Sequence, residues 1–337
     1  MKEDLLKAEV LITKRCNLNC SFCKIPKDIK ERDELNLEEW KEAFRIVYED
    51  LGASFIAIYG GEPLCLDKDK LLDIIENLSS YREKGKSYTL ISNCIGLTNE
   101  YMDEMIDKGL DSFTASMDTL DENESLDNIS KIKSRKGLNT LLKFKEKGIR
   151  DVCGIITATK KNIKNIPQTV KYLSDKGIWV GIDVIHYRKG NTDLPKKSQV
   201  EELLLTRGDM PIIIEVADKL IRMKKEGYLI FPTYEVLEGW KNPNYIIDLN
   251  WKCGTNHPYC ITIDSNGTLM ECDSFRGSRI KKYKIFDLPN KWKEFKKDYF
   301  DDVCYECLGC FWSTHFCAED IIKKKGVKYY QHETNKI

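Results

Sequence analysis

Apolar and polar positions alternate in two rhythms along the first half of the chain. Ala8-Glu9-Val10-Leu11-Ile12 and Phe55-Ile56-Ala57-Ile58-Tyr59 are short β-rich runs, while 37–51 sets Trp40, Phe44, Val47 and Leu51 at helical spacing. The alternation continues with strands expected at 88–91, 113–116, 152–157 and 179–184, and helices at 68–80, 98–108, 137–147 and 166–175. Six β/α alternations predict an α/β protein with a parallel sheet and helices outside it. A partial barrel and an open doubly wound sheet both satisfy this pattern, and both place ligands at the carboxyl ends of the strands. Beyond residue 190 the rhythm breaks: Pro195, Pro211, Pro232 and Pro243 punctuate the chain, with one helix expected at 212–226. Asn266-Gly267 then separates two β-rich runs in 261–270, a hairpin signal. The expected organisation is 1–190 for the β/α unit, 191–250 for a linker and helical segment, and 251–337 for a small C-terminal domain.

Charge narrows the partners. Lys+Arg and Asp+Glu each number 54 among 337 residues, so nothing electrostatic calls for nucleic acid or an anionic membrane. No apolar run is long enough to span a bilayer, and Met1-Lys2-Glu3-Asp4 lacks the basic-then-apolar pattern of an export signal, so a cytoplasmic location is expected.

Thirteen cysteines change the picture. An odd number in a reducing compartment argues for metal ligation rather than disulfides. Ten fall in two groups, at 16–23 and 253–317, while Cys65, Cys94 and Cys153 stand apart as small hydrophobes, with Cys65 and Cys94, near strand ends, alternatively placed to donate a hydrogen. Cys16, Cys20 and Cys23 have the spacing C-x3-C-x2-C directly after the first expected strand. A [4Fe–4S] cluster takes one thiolate per iron, so three close thiolates leave one iron open to a ligand from outside the protein. A zinc knuckle or a ferredoxin-type cluster completed by a distant cysteine is the structural alternative. Gly60-Gly61-Glu62-Pro63 ends the second strand, and Ser92-Asn93 and Ser116-Met117-Asp118 end the third and fourth. Such residues serve turns, and equally serve as polar anchors at a pocket.

Together these motifs resemble the radical SAM superfamily, down to aromatic Phe22 before the last cysteine. The resemblance implies a partial (β/α)6 TIM-like barrel in which S-adenosylmethionine chelates the open iron and, on one-electron reduction, yields a 5′-deoxyadenosyl radical. It implies that Gly60, Gly61, Glu62 and Pro63 receive the cofactor's amino group, a carboxylate suiting an ammonium. Ser92, Asn93 and Ser116 become cofactor contacts, and Arg135 a partner for the cofactor carboxylate, set against a solvated group with Lys131, Lys133 and Lys136. The 116–121 segment is similar to the molybdenum-cofactor cyclase branch. That branch has a basic residue three positions before its Gly-Gly pair, where this chain has Ala57, which argues against cyclase activity. His186, after the sixth strand, is expected to be a buried, hydrogen-bonded histidine, with contact to substrate or cofactor the other reading.

The seven later cysteines, Cys253, Cys260, Cys272, Cys304, Cys307, Cys310 and Cys317, resemble SPASM and Twitch extensions, which carry auxiliary clusters. The resemblance implies a small Cys-rich α+β auxiliary-cluster domain. The family typically has C-x2-C-x5-C-x3-C and then one more cysteine; this chain has C-x2-C-x2-C-x6-C and none after Cys317. The expected partition is Cys253, Cys260, Cys272 and Cys317 for one cluster, and Cys304, Cys307 and Cys310 for a second, completed by an open iron or by His315, Glu319 or Asp320. A single Twitch-type cluster, or zinc, is the alternative. The function expected is hydrogen abstraction from a small molecule, or from a peptide, fed by an electron donor such as flavodoxin or ferredoxin. A domain for binding peptides ahead of the barrel is not expected. No catalytic residue is assigned. The contrasting class is an electron-transfer protein or a zinc-stapled binding module.

Overall fold

The computed structural model describes residues 5–23, 30–121, 127–187, 189–190, 194–253, 259–272, 277–313 and 315–317. Six parallel strands lie side by side in chain order: β1 (Lys7–Thr13), β2 (Phe55–Gly60), β3 (Ser87–Ser92), β4 (Ser112–Ser116), β5 (Asp151–Ala158) and β6 (Trp179–Val184). Between them run α1 (Leu37–Arg45), α2 (Lys68–Ser79), α3 (Asn99–Asp107), α4 (Asn128–Glu146) and α5 (Ile166–Ser174). Right-handed crossovers that always advance in one direction place every helix on the same face. The strand order β6-β5-β4-β3-β2-β1 has no reversal, which excludes the doubly wound alternative.

The period of two along each strand sorts the faces. Val10, Ile12, Ile56, Ile58, Leu90, Phe113, Val152 and Ile182 are buried in one core with Trp40, Phe44, Leu71, Leu141 and Val170 of the helices. The alternate positions line a cavity of about 180 Å³ that draws residues from all six strands, including Glu9, Ala57, Thr89, Thr114, Cys153 and Asp183. The sheet is therefore curved around a lumen, as a partial barrel.

α1 is set by an Asn36–Glu39 capping box and continues as a π turn over Ile46–Asp50. α4 begins nine residues before the expected 137, because Asp127 caps it by accepting from the Ser130 N–H at 2.7 Å. Beyond the barrel come α6 (Met210–Lys225), α7 (Tyr234–Gly239) and α8 (Pro243–Ile246). The expected hairpin forms as β7 (Cys260–Ile263) and β8 (Leu269–Met270), with Gly267 at φ +80° in its turn. It does not form a sheet of its own. β7 pairs parallel with β1, Lys7 opposite Cys260, and so extends the barrel sheet at its first strand. α9 (Leu288–Tyr305) is a further long helix, beyond those expected from the sequence pattern. It buries Trp292, Phe295, Tyr299 and Val303.

Candidate functional site

The end of β1 and the glycine turn after β2 are fused through backbone. Gly61 N–H donates to Thr13 O at 2.7 Å and Glu62 N–H to Arg15 O at 2.9 Å. A Cβ on Gly60 would stand 2.1 Å from Thr13 O, and one on Gly61 2.2 Å from Arg15 O, so only glycine allows this approach. Gly60 also sits at φ +146°. The turn thus lies against the residues leading into Cys16. Glu62 is buried, and both its oxygens are engaged: the Ser92 hydroxyl donates to Oε1 at 2.7 Å, Leu64 N–H to Oε1 at 3.0 Å and Asn93 N–H to Oε2 at 2.7 Å. Burial raises its carboxyl pKa, and those donors oppose the rise. The carboxylate therefore locks the glycine turn to the end of β3. Asn93 carries the lock onward, donating through Nδ2 to Asn17 Oδ1 at 2.9 Å, while Asn17 donates to Ile95 O at 3.0 Å. The Gly-Gly turn, Ser92-Asn93 and the cysteine loop are one bonded unit.

Cys16, Cys20 and Cys23 are half-buried on that loop. Burial pushes the Cys20 thiol up to about 11, Lys133 opposes, and Cys23, Asp127 and Cys16 add to the rise. The loop's far side is pinned to α4: the Ser21 hydroxyl donates to Asp127 Oδ2 at 2.6 Å, and the Lys133 ammonium lies 5.1 Å from the centre of the Phe22 ring. Lys133 is no solvated charge. It is buried and pairs with buried Asp118 at 2.9 Å; Asp118 also accepts from the Ser130 hydroxyl at 2.6 Å. Burial by itself would lower the lysine, but Asp118, with Cys20 and Asp127 behind it, leaves it above the ordinary value. Arg135, two residues on, is exposed on the opposite side of the helix and is not brought to this group. Ser116 is half-buried at the end of β4, where a Cβ on Gly137 would stand 2.9 Å from its carbonyl oxygen. Ser130, Lys133, Ser134 and Gly137 share one face of α4, a spacing that marks Lys133 as inward-facing.

Cys65 lies beside this unit, its thiol raised by burial and by neighbouring Glu62 and Cys16. Cys94 is buried at φ +65°, and Cys153 lines the lumen.

A second cavity gathers later cysteines, but not in the expected partition. Cys253, Cys272, Cys307 and Cys310 line it together with His186, Lys189 and His315. The Cys253 and Cys310 thiols are hydrogen-bonded to each other, and this, with burial, pushes Cys310 well up. Cys310 N–H donates to Trp251 O at 2.8 Å, and Gly309, at φ +90°, donates its N–H to Cys307 Sγ at 3.4 Å. Cys317 goes elsewhere: it is buried beside Lys224 and Asp183 and accepts from Thr233 N–H at 3.3 Å. Cys304 is half-buried on α9. Cys260 is buried, near Tyr299 together with Cys253 and Cys272, and also faces Glu9 and His315. Glu319 and Asp320 lie outside the described residues.

His186 is the buried, bonded histidine the sequence suggested. Its Nδ1 contacts Val184 O at 2.7 Å, its Nε2 accepts from Phe311 N–H at 3.1 Å, and its ring stacks on Trp312 at 3.9 Å. Burial drives its pKa down to about 3, so the neutral ring fastens the cysteine loop to the end of β6. Lys189, which no sequence motif singled out, stands near Cys310 and Cys307 and donates to Asp248 O, Leu249 O and Asn250 Oδ1 at 2.8–3.0 Å.

The donor chemistry fits iron–sulfur clusters at both places: three thiols on one loop bonded to the glycine turn, and four thiols lining one cavity. Residues 10–173 match the family model of the radical SAM superfamily. The chain carries a radical SAM domain, whose family cofactors are a [4Fe–4S] cluster and S-adenosylmethionine. A probable GTP 3′,8-cyclase of Methanopyrus kandleri is 28% identical over 176 residues, 51% of this chain and 54% of that one. The chain thus spans about half the length of this curated relative. Two solved structures share the fold across nearly all of the chain. Streptococcus suis SuiB bound to S-adenosylmethionine superposes with a TM-score of 0.65 at 17% identity, covering 96% of this chain and 75% of that one. Native anSMEcpe with bound AdoMet and the Cp18Cys peptide gives 0.60 at 14% identity, covering 98% and 99%. Among the described residues no helix is long and apolar enough to cross a membrane.

Proposed function

We propose that the protein is a radical S-adenosylmethionine enzyme with one auxiliary iron–sulfur cluster. Cys16, Cys20 and Cys23 hold the first cluster, and Cys253, Cys272, Cys307 and Cys310 the auxiliary one. When bound, the first cluster and S-adenosylmethionine supply a 5′-deoxyadenosyl radical that removes a hydrogen atom from substrate. The observation that carries this reading is the bonded unit joining the cysteine loop to Gly60-Gly61-Glu62 and Ser92-Asn93.

Within it the chain's own residues divide the work. Gly60 and Gly61 let the turn close on the backbone that leads into Cys16, Glu62 and Asn93 hold that backbone rigid, and Ser116 offers a hydroxyl at the end of β4. Pro63 starts the turn that follows the glutamate. Lys133 is the buried cation beside Cys20, better placed than Arg135 to balance negative charge there. Such fixed positioning is the protein's contribution to cofactor chemistry. The electron comes from a small donor such as flavodoxin or ferredoxin.

A small molecule is the substrate class we favour, because the lumen between the strands offers about 180 Å³. The second reading is a peptide side chain, supported by the shared fold with anSMEcpe in its peptide-bound structure. The test is anaerobic reconstitution, reduction with dithionite and assay of 5′-deoxyadenosine. Parent protein is expected to form it, and Cys20→Ser to form none while keeping the auxiliary iron and sulfide. Parent protein that carries its clusters and never cleaves the cofactor sinks the proposal.

A further inference from the structure

The lumen of the barrel has two ends of different character. At the strand starts it is walled by Phe55, Val152, Trp179 and Phe231. Phe231 is held there by its N–H, which donates to Val180 O at 2.8 Å. Two carboxylates stand on the same lumen wall, Glu9 on β1 and Asp183 on β6. Asp183 is the last residue but one of its strand, so it lies toward the end of the sheet that carries the cysteine loop.

The charges on this wall do not cancel. Lys7 donates to Glu9 Oε1 at 2.7 Å, so one cation offsets one carboxylate. Arg150, at the strand starts, pairs with Asp151 at 2.6 Å and Asp111 at 3.4 Å. Asp183 is left over, and among the described residues it forms no ion pair. Ser313 N–H donates to its Oδ1 at 2.7 Å, which fixes the carboxylate without neutralising it. Burial raises its carboxyl pKa, Ser313 opposes the rise, Glu9 adds to it, and Lys7 acts on it only behind these. A second group is also unmatched. Thr262, the register partner of Glu9 on β7, shares its face of the sheet, and its hydroxyl is buried with no hydrogen-bond partner among the described residues. Buried charges are ordinarily paired and buried polar atoms hydrogen-bonded, so both groups call for a partner from outside the chain.

We propose that the substrate carries an ammonium group and that Asp183 receives it, with the apolar part of the substrate lying toward Trp179 and Phe231. This assignment rests on the lumen being the substrate chamber of the radical chemistry proposed above. An ammonium makes a charge-assisted hydrogen bond to the carboxylate, and with Lys7 it balances Glu9 and Asp183. It fixes the polar end of the substrate on the side of the lumen where the cysteine loop lies. Asp183 is then a specificity-determining residue, which no sequence motif singled out. A free amine and the side chain of a lysine in a peptide offer the same chemistry.

The test uses anaerobically reconstituted holoprotein with S-adenosylmethionine and no reductant. Ligand-observed NMR titrations give Kd for 2-phenylethylamine, 2-phenylethanol and 3-phenylpropionate, which share a ring and differ in charge. Nα-acetyl-lysine amide and Nα-acetyl-norleucine amide repeat the comparison for a peptide side chain. At least one amine is expected to bind about tenfold more tightly than its uncharged match. Asp183→Asn keeps an acceptor for Ser313 and should bring that pair within about twofold of each other. A preference seen with the lysine pair alone assigns the ammonium to a peptide. Equal affinities in the parent, tighter binding of 3-phenylpropionate, or no binding of any probe overturns the proposal, and none of these needs a variant to fold. So does an amine preference that survives Asp183→Asn. Parent protein that forms 5′-deoxyadenosine under dithionite but shows no amine preference loses this assignment and keeps the radical chemistry. An amine preference without cofactor cleavage keeps the ammonium site and removes the radical chemistry.

Discussion

At the scale of single residues, the site depends on side chains that are missing as much as on those present. Gly61 approaches two carbonyl oxygens, with a Cβ expected 2.2 Å from Arg15 O and 2.4 Å from Lys14 O. Gly61→Ala therefore has to force apart backbones that are hydrogen-bonded together. The expected cost is about 3 kcal/mol, the upper end for overpacking, read from urea unfolding, together with loss of S-adenosylmethionine binding in equilibrium dialysis. Lys133 is the complementary case, a charge whose removal strands its partner. Lys133→Met leaves buried Asp118 with the Ser130 hydroxyl but without a cation, and about 3 kcal/mol of stability should go with it. A Lys133→Met, Asp118→Leu double variant should recover much of that loss in the same unfolding assay. The cysteine triplet and the glycine turn were legible in the sequence because their spacing is local. Lys133 was not, because a lysine among lysines carries no mark until the helix face it occupies is known.

At the scale of elements, strands and helices of the barrel follow the sequence pattern within a residue or two, apart from the early start of α4. The reason is that each strand alternates between a helix-packed face and a lumen face, and each helix carries an apolar stripe, so pattern and burial agree. α9 escaped although Leu288, Trp292, Phe295, Tyr299 and Val303 recur at helical spacing, because lysines and acids crowd the positions between them. The loop that follows it is built around Gly309. At φ +90°, with Trp251 O 2.8 Å from where a Cβ would sit, this residue lets Cys310 bridge to Trp251 while its amide reaches Cys307. Gly309→Ala should pull those two cysteines apart. Iron and sulfide should then fall by about four each per chain, one [4Fe–4S] cluster, while 5′-deoxyadenosine formation at the first cluster persists.

At the scale of the whole molecule, the C-terminal segment is docked on both ends of the sheet. β7 adds to β1, and at the other edge His186 holds Phe311 against the end of β6. This second attachment is sensitive to acid. His186 has a folded pKa near 3, below its ordinary 6.5, so the folded state binds fewer protons than the unfolded chain. Its contribution is present above the unfolded value and is lost as pH falls from about 6.5 toward 3. The melting temperature should drop between about pH 6.5 and 5, and His186→Asn should lower it at neutral pH while flattening that region of the profile. Equal slopes in the parent and the variant would show that His186 does not set this acid sensitivity.

The sequence by itself determined the β/α rhythm, the cysteine triplet after the first strand, the glycine turn after the second and the hairpin near residue 266. Each is carried by residues close together in the chain, where periodicity and turn chemistry act directly. The tertiary structure decided what met across distance. It chose the single-wound partial barrel over the doubly wound sheet and turned Lys133 inward. It gathered Cys253 and Cys272 with Cys307 and Cys310, sent Cys317 to Thr233, and set Cys260 between Glu9 and His315. Spacing could not make those choices: thiols separated by tens of residues have no preferred partner until strand register and backbone turns fix which of them share a cavity.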